Sequence, residues 1–362
     1  MSDDLPLPPI SADIQRLAAE AGFDLAGVAG VADTPEHAFF PRWLAEGYGG
    51  EMKYLEGRDD AGELKRASLA SAAPWARSVV VCALNYNTAR PYSTHAGNST
   101  QGWISRYAWG KRDYHNVVLE KMRVLEAHLL ALCEQQQMAA PRTWCYVDTG
   151  PVIERIFAKY AGIGWIGKNT CVLNERLGSW LFLGVMLTSL ELAPGLPPAD
   201  RCGSCTRCLD TCPTNAFTAP YQLDATKCIS YLTIEKRGAI PQELRAGVGR
   251  QVFGCDICQD VCPWNREAPL ASAPEFAARP QLVNPDLEWL ARMGVDEFRQ
   301  AFRGSPVKRA RYNGLRRNVV LAMGNSGDER FGGILHELSR DEDEVVAEHA
   351  RWALERLKSR EA

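Results

Sequence analysis

Eight of the twelve cysteines lie in the second half of the chain, at spacings typical of iron–sulfur proteins. The two runs and the cysteine between them are Cys202-x2-Cys205-x2-Cys208-x3-Cys212-Pro213, Cys228 and Cys255-x2-Cys258-x3-Cys262-Pro263. In the bacterial ferredoxin pattern, closely spaced thiolates hold one [4Fe–4S] cluster and the cysteine before the proline binds the other. This crossing predicts one cluster on Cys202, Cys205, Cys208 and Cys262, and a second on Cys212, Cys228, Cys255 and Cys258. We therefore predict a protein that transfers single electrons at low potential.

Zinc sites and disulfides explain these cysteines less well. A zinc ribbon uses four sulfurs and accounts neither for eight cysteines nor for the two Cys-Pro endings. Disulfide frameworks are typical of short secreted chains, whereas this chain has 362 residues and begins without the basic and apolar regions of a signal peptide. We expect a cytoplasmic protein with reduced thiols. The remaining cysteines, predicted to be buried and inert, are Cys82, Cys133, Cys145 and Cys171.

Composition and charge indicate an ordinary globular protein with room for two or three domains. Hydrophobic residues make up 46% and charged residues 23% of the chain, and the longest uncharged apolar stretch, 177–190, is too short to span a bilayer. The net charge is −3, yet residues 303–317 contain six basic residues and no acid. These are Arg303, Lys308, Arg309, Arg311, Arg316 and Arg317. They form either a phosphate-binding face or an ordinary solvated helix face.

Hydrophobic periodicity divides the chain into three regions. Residues 1–195 mix helices and strands in an α/β or α+β pattern. The predicted elements are helices over 11–21, 114–137 and 151–161 and strands over 23–29, 78–86, 143–147 and 177–190. Residues 196–268 form the cluster domain, with helices over 227–236 and 241–254 between the cysteine runs. Residues 269–362 are predicted to be all-helical, with a weak resemblance to HEAT repeats.

Two segments of the first region carry candidate site residues. Asp148 follows a predicted strand, where a carboxylate can act as a general acid if burial raises its pKa; an ordinary helix N-cap is the alternative. The loop 162–170 contains three glycines followed by Lys168 and Asn169. It predicts either a ligand-binding loop or a tight structural turn.

Upstream, residues 103–115 place aromatic side chains among polar ones. Tyr107 or Trp109 suits stacking on a flat cofactor or a base, and core packing is the alternative. His115 is either a site residue or a structural histidine.

These motifs occur together in one family. The segments 147–155, 164–170, 178–180, 228–235 and 262–265 resemble epoxyqueuosine reductases, and the resemblance extends over nearly the whole chain. It implies a nitroreductase-like α/β domain adapted to hold cobalamin, a ferredoxin-like domain with two [4Fe–4S] clusters, and a helical HEAT-like region. The implied cofactor is base-off cobalamin, cob(II)alamin at rest, which the clusters reduce to the nucleophilic cob(I)alamin.

The resemblance also implies the reaction and the site residues. An epoxide on a modified wobble guanosine of tRNA becomes an alkene, with Asp148 as proton donor. The residues expected to contact the cofactor are Tyr107, Trp109, His115, Asp148, Gly167, Lys168, Asn169 and Ser230. The basic residues of 303–317 would bind the anticodon stem-loop through its phosphates. Some relatives carry a cysteine where this chain has Ile104-Ser105-Arg106, which removes a thiolate role here.

The expected partners are therefore tRNA and an external electron donor, with no membrane, and the chain is expected to be a monomer. One alternative is a cobalamin and iron–sulfur reductase of a small molecule, similar to the reductive dehalogenases. Another is a plain two-cluster electron carrier. The basic helical region argues against the former, and a first region of about 190 residues argues against the latter.

Overall fold

A computed structural model describes residues 10–89, 91–95 and 97–359. The chain forms two compact units built from alternating segments. Unit 1 comprises Met1–Asn87, Tyr114–Cys205 and Pro263–Ser272, and unit 2 comprises Thr88–Asp113, Thr206–Cys262 and Ala273–Ala362. The outer ends of the first and third predicted regions, 1–9 and 360–362, lie outside the described residues. The mixed helix and sheet content confirms the predicted fold class at this coarse level.

The elements are numbered in chain order. The strands are β1 (Leu25–Ala29), β2 (Ser78–Asn85), β3 (Trp103–Ile104), β4 (Thr143–Tyr146), β5 (Trp165–Ile166), β6 (Val172–Leu173), β7 (Leu181–Thr188), β8 (Phe217–Ala219), β9 (Gln222–Leu223) and β10 (Gln251–Phe253). The helices are α1 (Ile10–Glu20), α2 (Pro35–Ala45), α3 (Leu69–Ala72), α4 (Tyr114–Gln135), α5 (Glu154–Tyr160), α6 (Arg207–Asp210), α7 (Ile229–Ile234), α8 (Gln242–Val248), α9 (Ile257–Asp260), α10 (Leu287–Arg292), α11 (Val295–Ala301), α12 (Tyr312–Ser326), α13 (Gly332–Leu338) and α14 (Glu344–Lys358).

Unit 1 is organised around a sheet with strand order β1-β2-β7-β4, in which every neighbouring pair is antiparallel. Each residue of β2 is buried, as expected for an apolar strand covered on both faces. Phe157 and Ala158 of α5 join the apolar cluster on one face. Helix α4 packs closely on β7, where Gly184 leaves space for Met122 of the helix. A Cβ at Gly184 would lie 2.7 Å from the sulfur of Met122.

The predicted strand over 177–190 is shorter in the structure. Asn174 and Gly178 exchange backbone hydrogen bonds of 2.9 Å, and Gly178 has φ of +66°. This turn delays the start of β7 to Leu181. Likewise, the helix predicted over 151–161 begins only at Glu154. Asp148 therefore lies in the loop that connects β4 to α5.

Unit 2 contains a short parallel pair, β3 with β10, and a helical region in which α12 packs on α14. The all-helical prediction for the last region agrees with helices α10 to α14 and the 3-10 turns between them. The single helix predicted over 241–254 is wrong in its second half. Helix α8 ends at Val248, Gly249 adopts φ of +60°, and the chain continues as β10. No helix among the described residues combines the length and apolarity required to cross a membrane.

Candidate active site and cluster ligands

Asp148 follows the edge strand β4 in an uncommon backbone conformation. Its φ is +55°, a value that non-glycine residues rarely adopt and that often marks functional positions. The backbone of the loop packs directly on the ring of Tyr146: a Cβ at Gly150 would lie only 1.9 Å from that ring. Arg66 donates a hydrogen bond of 3.1 Å to the carbonyl of Val152 on the far side of the loop. The loop therefore has a defined shape that presents Asp148 at the surface.

Two side chains from the first turn of α4 meet the carboxylate of Asp148. The hydroxyl of Tyr114 donates a hydrogen bond to Oδ2, and Nε2 of His115 lies 3.7 Å from the same oxygen. The ring of Tyr114 is stacked between His115, at 4.0 Å, and Phe182 of β7, at 4.2 Å. The side chains of Asp148 and His115 are 49% and 33% exposed, so a ligand can reach both. The sequence predicted Asp148 and His115; Tyr114 was missed, although it directly precedes His115.

A second carboxyl group lies beneath the loop. Burial, followed by the nearby charge of Asp148, raises the pKa of Glu154 to about 7. Its Oε1 atom and the hydroxyl of Tyr146 are both buried, and neither has a hydrogen-bond partner among the described residues. Glu154 was not predicted from the sequence, because its burial depends on how the loop folds over Tyr146.

The glycine loop serves packing. A Cβ at Gly164 would lie 2.1 Å from the carbonyl oxygen of Leu173, and one at Gly167 would lie 2.4 Å from the Leu173 side chain. Asn169 is buried, and its Oδ1 accepts a hydrogen bond of 3.2 Å from the backbone of Cys171. Of the two predictions for this loop, the tight structural turn accounts for these contacts.

Lys168 fastens the loop that carries the first two cysteines. Its ammonium group donates to the carbonyls of Gly203, at 2.7 Å, and Cys205, at 3.0 Å. Burial raises the pKa of the Cys202 thiol, while the backbone N–H of Lys168 acts in the opposite direction. N–H groups directed at a sulfur stabilise the thiolate form, which is the form that binds iron.

The predicted ligands of the second cluster all lie in unit 2. Burial raises the pKa of Cys228 and Cys255, and both thiols also interact electrostatically with Cys212. Within the described residues, no group of three or more His, Cys, Asp or Glu side chains is already closed around a metal position. Support for a cluster at these cysteines therefore comes from the hydrogen-bond donors directed at their sulfur atoms.

Those donors are backbone N–H groups, the common hydrogen-bond partners of cluster sulfurs. The N–H groups of Ser230 and Tyr231 point at Cys228 because α7 begins directly after it. The N–H of Ala216 lies 3.4 Å from the sulfur of Cys212, and that of Ile257 is directed at Cys255. Ser230, predicted to contact the cofactor, is thus placed beside a cluster cysteine.

The aromatic segment 103–109 belongs to the core of unit 2. Trp109 is fully buried, and its indole N–H donates 2.7 Å to the carbonyl of Ile104. A stacking role for Trp109 therefore conflicts with its burial. Tyr107 is half-buried beside Phe253, with ring centroids 6.0 Å apart. The hydroxyl of Ser105 donates to the buried carboxylate of Asp256, so this serine is occupied within the fold.

The basic residues of 303–317 divide into surface and structural groups. Arg303, Lys308, Arg309 and Arg311 are exposed, although Arg309 pairs with Glu235. Arg316 is mostly buried against Asp341. Arg317 is only 1% exposed and donates to the carbonyls of Leu232, Lys236 and Gly238. The prediction that Arg317 binds tRNA is inconsistent with this burial, because its guanidinium already donates to backbone carbonyls inside the protein.

A cavity of about 340 Å³ lies beside the exposed group. Its cationic lining residues are Lys236, Arg237 and Arg311, and the first turn of α12 completes it. The sequence alone could not group Lys236 and Arg237 with Arg311, because these residues are far apart along the chain.

Comparisons with known proteins agree on one family. Residues 66–149 match the family described as "Epoxyqueuosine reductase QueG, DUF1730", and residues 201–265 match "4Fe-4S double cluster binding domain". The epoxyqueuosine reductase of Xanthomonas campestris pv. campestris is 37% identical over 349 residues, covering 95% of both chains. That of Pseudomonas aeruginosa is 38% identical over 356 residues, covering 96% of this chain and 94% of the relative.

Solved structures give the same result. An epoxyqueuosine reductase bound to a tRNA-Tyr epoxyqueuosine-modified stem loop superposes with a TM-score of 0.83 and 31% identity, covering 96% of this chain and 90% of that chain. The Bacillus subtilis enzyme, with its catalytic aspartate loop swung out of the active site, has a TM-score of 0.83 and 30% identity at the same coverage. The family resemblance read from the sequence is confirmed. This chain belongs to the epoxyqueuosine reductase family.

Proposed function

We propose that this chain reduces epoxyqueuosine to queuosine at the wobble position of tRNA. The observation that carries the proposal is the accessible carboxylate of Asp148, bonded by Tyr114 and adjacent to His115, in a chain of this family. Removing the epoxide oxygen as water while forming an alkene consumes two electrons and two protons. The site must therefore supply protons next to a reducing centre. The alternative small-molecule reductase has no specific observation in its favour.

Cobalamin, when bound and reduced through the two clusters, supplies the electrons that open the epoxide. The side chains of Asp148 and His115 are exposed and can contact a bound ligand, whereas the glycine loop packs against Leu173. Asp148 protonates the departing oxygen. The Tyr114 hydroxyl orients that carboxyl group, and His115 is close enough to return a proton to it. Among the predicted cofactor contacts, we retain Tyr107, His115 and Asp148; Lys168 and Ser230 support the cluster loops.

We assign tRNA binding to the exposed cations of unit 2. Arg303, Lys308 and Arg311 carry positive charge at the surface, and the neighbouring cavity adds Lys236 and Arg237. Phosphates are bound through charge and require no base reading, which suits this set. Arg316 and Arg317 shape this surface without contacting RNA.

The remaining features of the proposal come from the family resemblance. Residues 1–195 form a nitroreductase-like cobalamin domain, 196–268 a ferredoxin-like domain and 269–362 a HEAT-like region. Cobalamin is held base-off and rests as cob(II)alamin. The enzyme acts in the cytoplasm as a monomer and receives electrons from an external donor.

Genetic complementation tests the function in cells. A bacterial strain that lacks its own epoxyqueuosine reductase should accumulate epoxyqueuosine in tRNA. Expression of this chain is expected to restore queuosine, detected in nucleoside digests, while the Asp148→Asn variant at equal protein level is not. Persistence of epoxyqueuosine with the unmodified chain, provided the protein accumulates with iron bound, would contradict the proposal.

A further inference from the structure

The loop that bears the second cysteine run contains a carboxylate that the reaction does not use. Asp256 lies between Cys255 and Cys258 and is fully buried. Burying a charge is costly unless hydrogen bonds compensate for the lost water. A carboxylate at this position therefore needs a strong local environment.

Three donors from one segment provide that environment. The indole of Trp103 donates 3.0 Å to Oδ2, the backbone N–H of Arg106 donates 2.7 Å to the same oxygen, and the hydroxyl of Ser105 donates to Oδ1. All three partners are donors, which is the arrangement that an ionised carboxylate requires. Burial raises the pKa of Asp256, whereas these hydrogen bonds and the charge of Arg106 favour the ionised form. The Nη atoms of Arg106 themselves donate to the carbonyls of Thr88 and Pro91.

The surrounding backbone is built to keep this contact tight. Strand β3, which carries Trp103, pairs with β10 directly before Cys255. A Cβ at Gly254 would lie 2.5 Å from the Cβ of Ser105, and Gly254 has φ of +69°. Only glycine can adopt this conformation so close to Ser105 at the end of β10. This conformation places Asp256 beside its three donors.

The first cysteine run lacks this arrangement. The residue that corresponds to Asp256, directly after Cys205, is Thr206, which is exposed. The acidic residue of that run, Asp210, is also exposed and accepts a hydrogen bond of 2.7 Å from Thr206. Solvent screens a charge at the exposed Asp210, whereas the fully buried carboxylate of Asp256 is shielded from solvent.

We propose that Asp256 is a positioning residue that fixes the loop of the second cluster to segment 103–106 and lowers the reduction potential of that cluster. A fixed negative charge next to a cluster disfavours the added electron, and burial strengthens the effect because the local dielectric constant is low. A lower potential makes the second cluster a stronger reductant than it would be without this charge. The proposal rests on the double-cluster domain and is independent of the identity of the substrate.

An electron paramagnetic resonance titration of the reconstituted protein against redox potential, without tRNA or cobalamin, tests this directly. Asp256→Asn is expected to favour reduction of one cluster about tenfold, a positive shift of about 59 mV for a one-electron couple. Asp210→Asn, the matched control, is expected to change the equilibrium of either cluster by less than about twofold. Equal shifts in the two variants, or no shift in Asp256→Asn with full iron content, would overturn the proposal.

Ser105→Ala separates charge from packing. It removes one donor but keeps both the carboxylate and the Cβ that contacts Gly254. At a pH high enough to keep Asp256 ionised in both proteins, the charge is less compensated with fewer donors, so the potential should move in the negative direction. This variant also carries the test if Asp256→Asn fails to retain iron. A positive shift in Ser105→Ala would indicate a loosened loop and would refute the role of the charge.

Discussion

Both polar neighbours of Asp148 contact the same oxygen. Tyr114 donates to Oδ2, and His115 lies 3.7 Å from it. A hydroxyl donor holds a carboxylate in one orientation, and an imidazole at this distance can exchange a proton with it after a small movement. At the scale of single residues, the site is therefore a positioned acid with a nearby proton source.

Replacing the acid should abolish most of the rate. For Asp148→Asn we expect a loss of at least about 100-fold in single-turnover conversion, because general acid catalysis contributes about 10²–10⁴-fold. Cluster content and tRNA affinity should stay unchanged. Asp60→Asn, at an exposed carboxyl in the same unit, is the matched control and should retain full activity. Wild-type rates in Asp148→Asn would remove this residue from the mechanism.

Glu154 should give the protein an unusual pH dependence of stability. Its pKa is raised from 4.5 to about 7, mainly by burial. The folded protein thus keeps this proton between about pH 4.5 and 7 while the unfolded chain releases it. The free energy of unfolding must fall as pH rises through this window, by about 3 kcal/mol in full.

Glu154→Gln removes the titrating group at nearly constant shape. Urea unfolding monitored by tryptophan fluorescence at several pH values should show a flatter pH profile in the variant than in the unmodified protein. Identical slopes for the two proteins would show that Glu154 titrates normally.

Among the elements, α12 supports the helix that follows Cys228. Arg317 of α12 donates 2.6 Å to the carbonyl of Leu232 in α7 and 2.8 Å to those of Lys236 and Gly238 beyond it. The carbonyl of Leu232 lies in the last turn of α7, where helical carbonyls lack an intrahelical donor, and the other two lie in the segment that follows. The guanidinium therefore replaces the missing donors and holds the segment in place.

Removing this guanidinium should destabilise unit 2. We expect Arg317→Leu to lower the free energy of unfolding by about 3 kcal/mol or more, because several buried carbonyls lose their donors. Iron retention after gel filtration should fall, since α7 carries the N–H groups directed at Cys228. Arg303→Leu at an exposed position should change stability by less than about 0.5 kcal/mol. Equal stability of the two variants would contradict this role.

The double-cluster segment was predictable because iron–sulfur geometry imposes its spacing on neighbouring cysteines. The loop position of Asp148 was predictable because strand and helix patterns leave a gap around it. The end of α8 was not predictable from the sequence, since Gly249 lies in an otherwise helical pattern. Burial of Arg317 and Trp109 depends on carbonyls and rings that only tertiary packing brings near. Local patterns contain no information about such partners.

At the scale of the whole molecule, the basic surface is small and specific. The chain has a net charge of −3, so nonspecific attraction to RNA is weak and local cations must provide it. Arg303, Lys308 and Arg311 are the exposed members of the basic stretch that have no acidic partner in the described contacts.

Replacing these three residues together by glutamine should weaken binding of the tRNA stem loop. We expect the slope of log Kd against log salt concentration to decrease by about two to three, with clusters intact. The control triple at Arg292, Arg299 and Arg330 changes net charge equally, but each guanidinium is bonded to a carboxylate within four residues of it in the chain. Equal losses in both triples would reduce the effect to net charge alone.

The most direct measurement is single-turnover conversion of epoxyqueuosine-containing tRNA by the anaerobically reconstituted protein, with the digested nucleosides identified by mass. With both clusters, cobalamin and a strong reductant present, the modified nucleoside is predicted to lose one oxygen atom, and omission of cobalamin should abolish the change. An unchanged nucleoside in a sample that holds both clusters and cobalamin would contradict the proposed reaction.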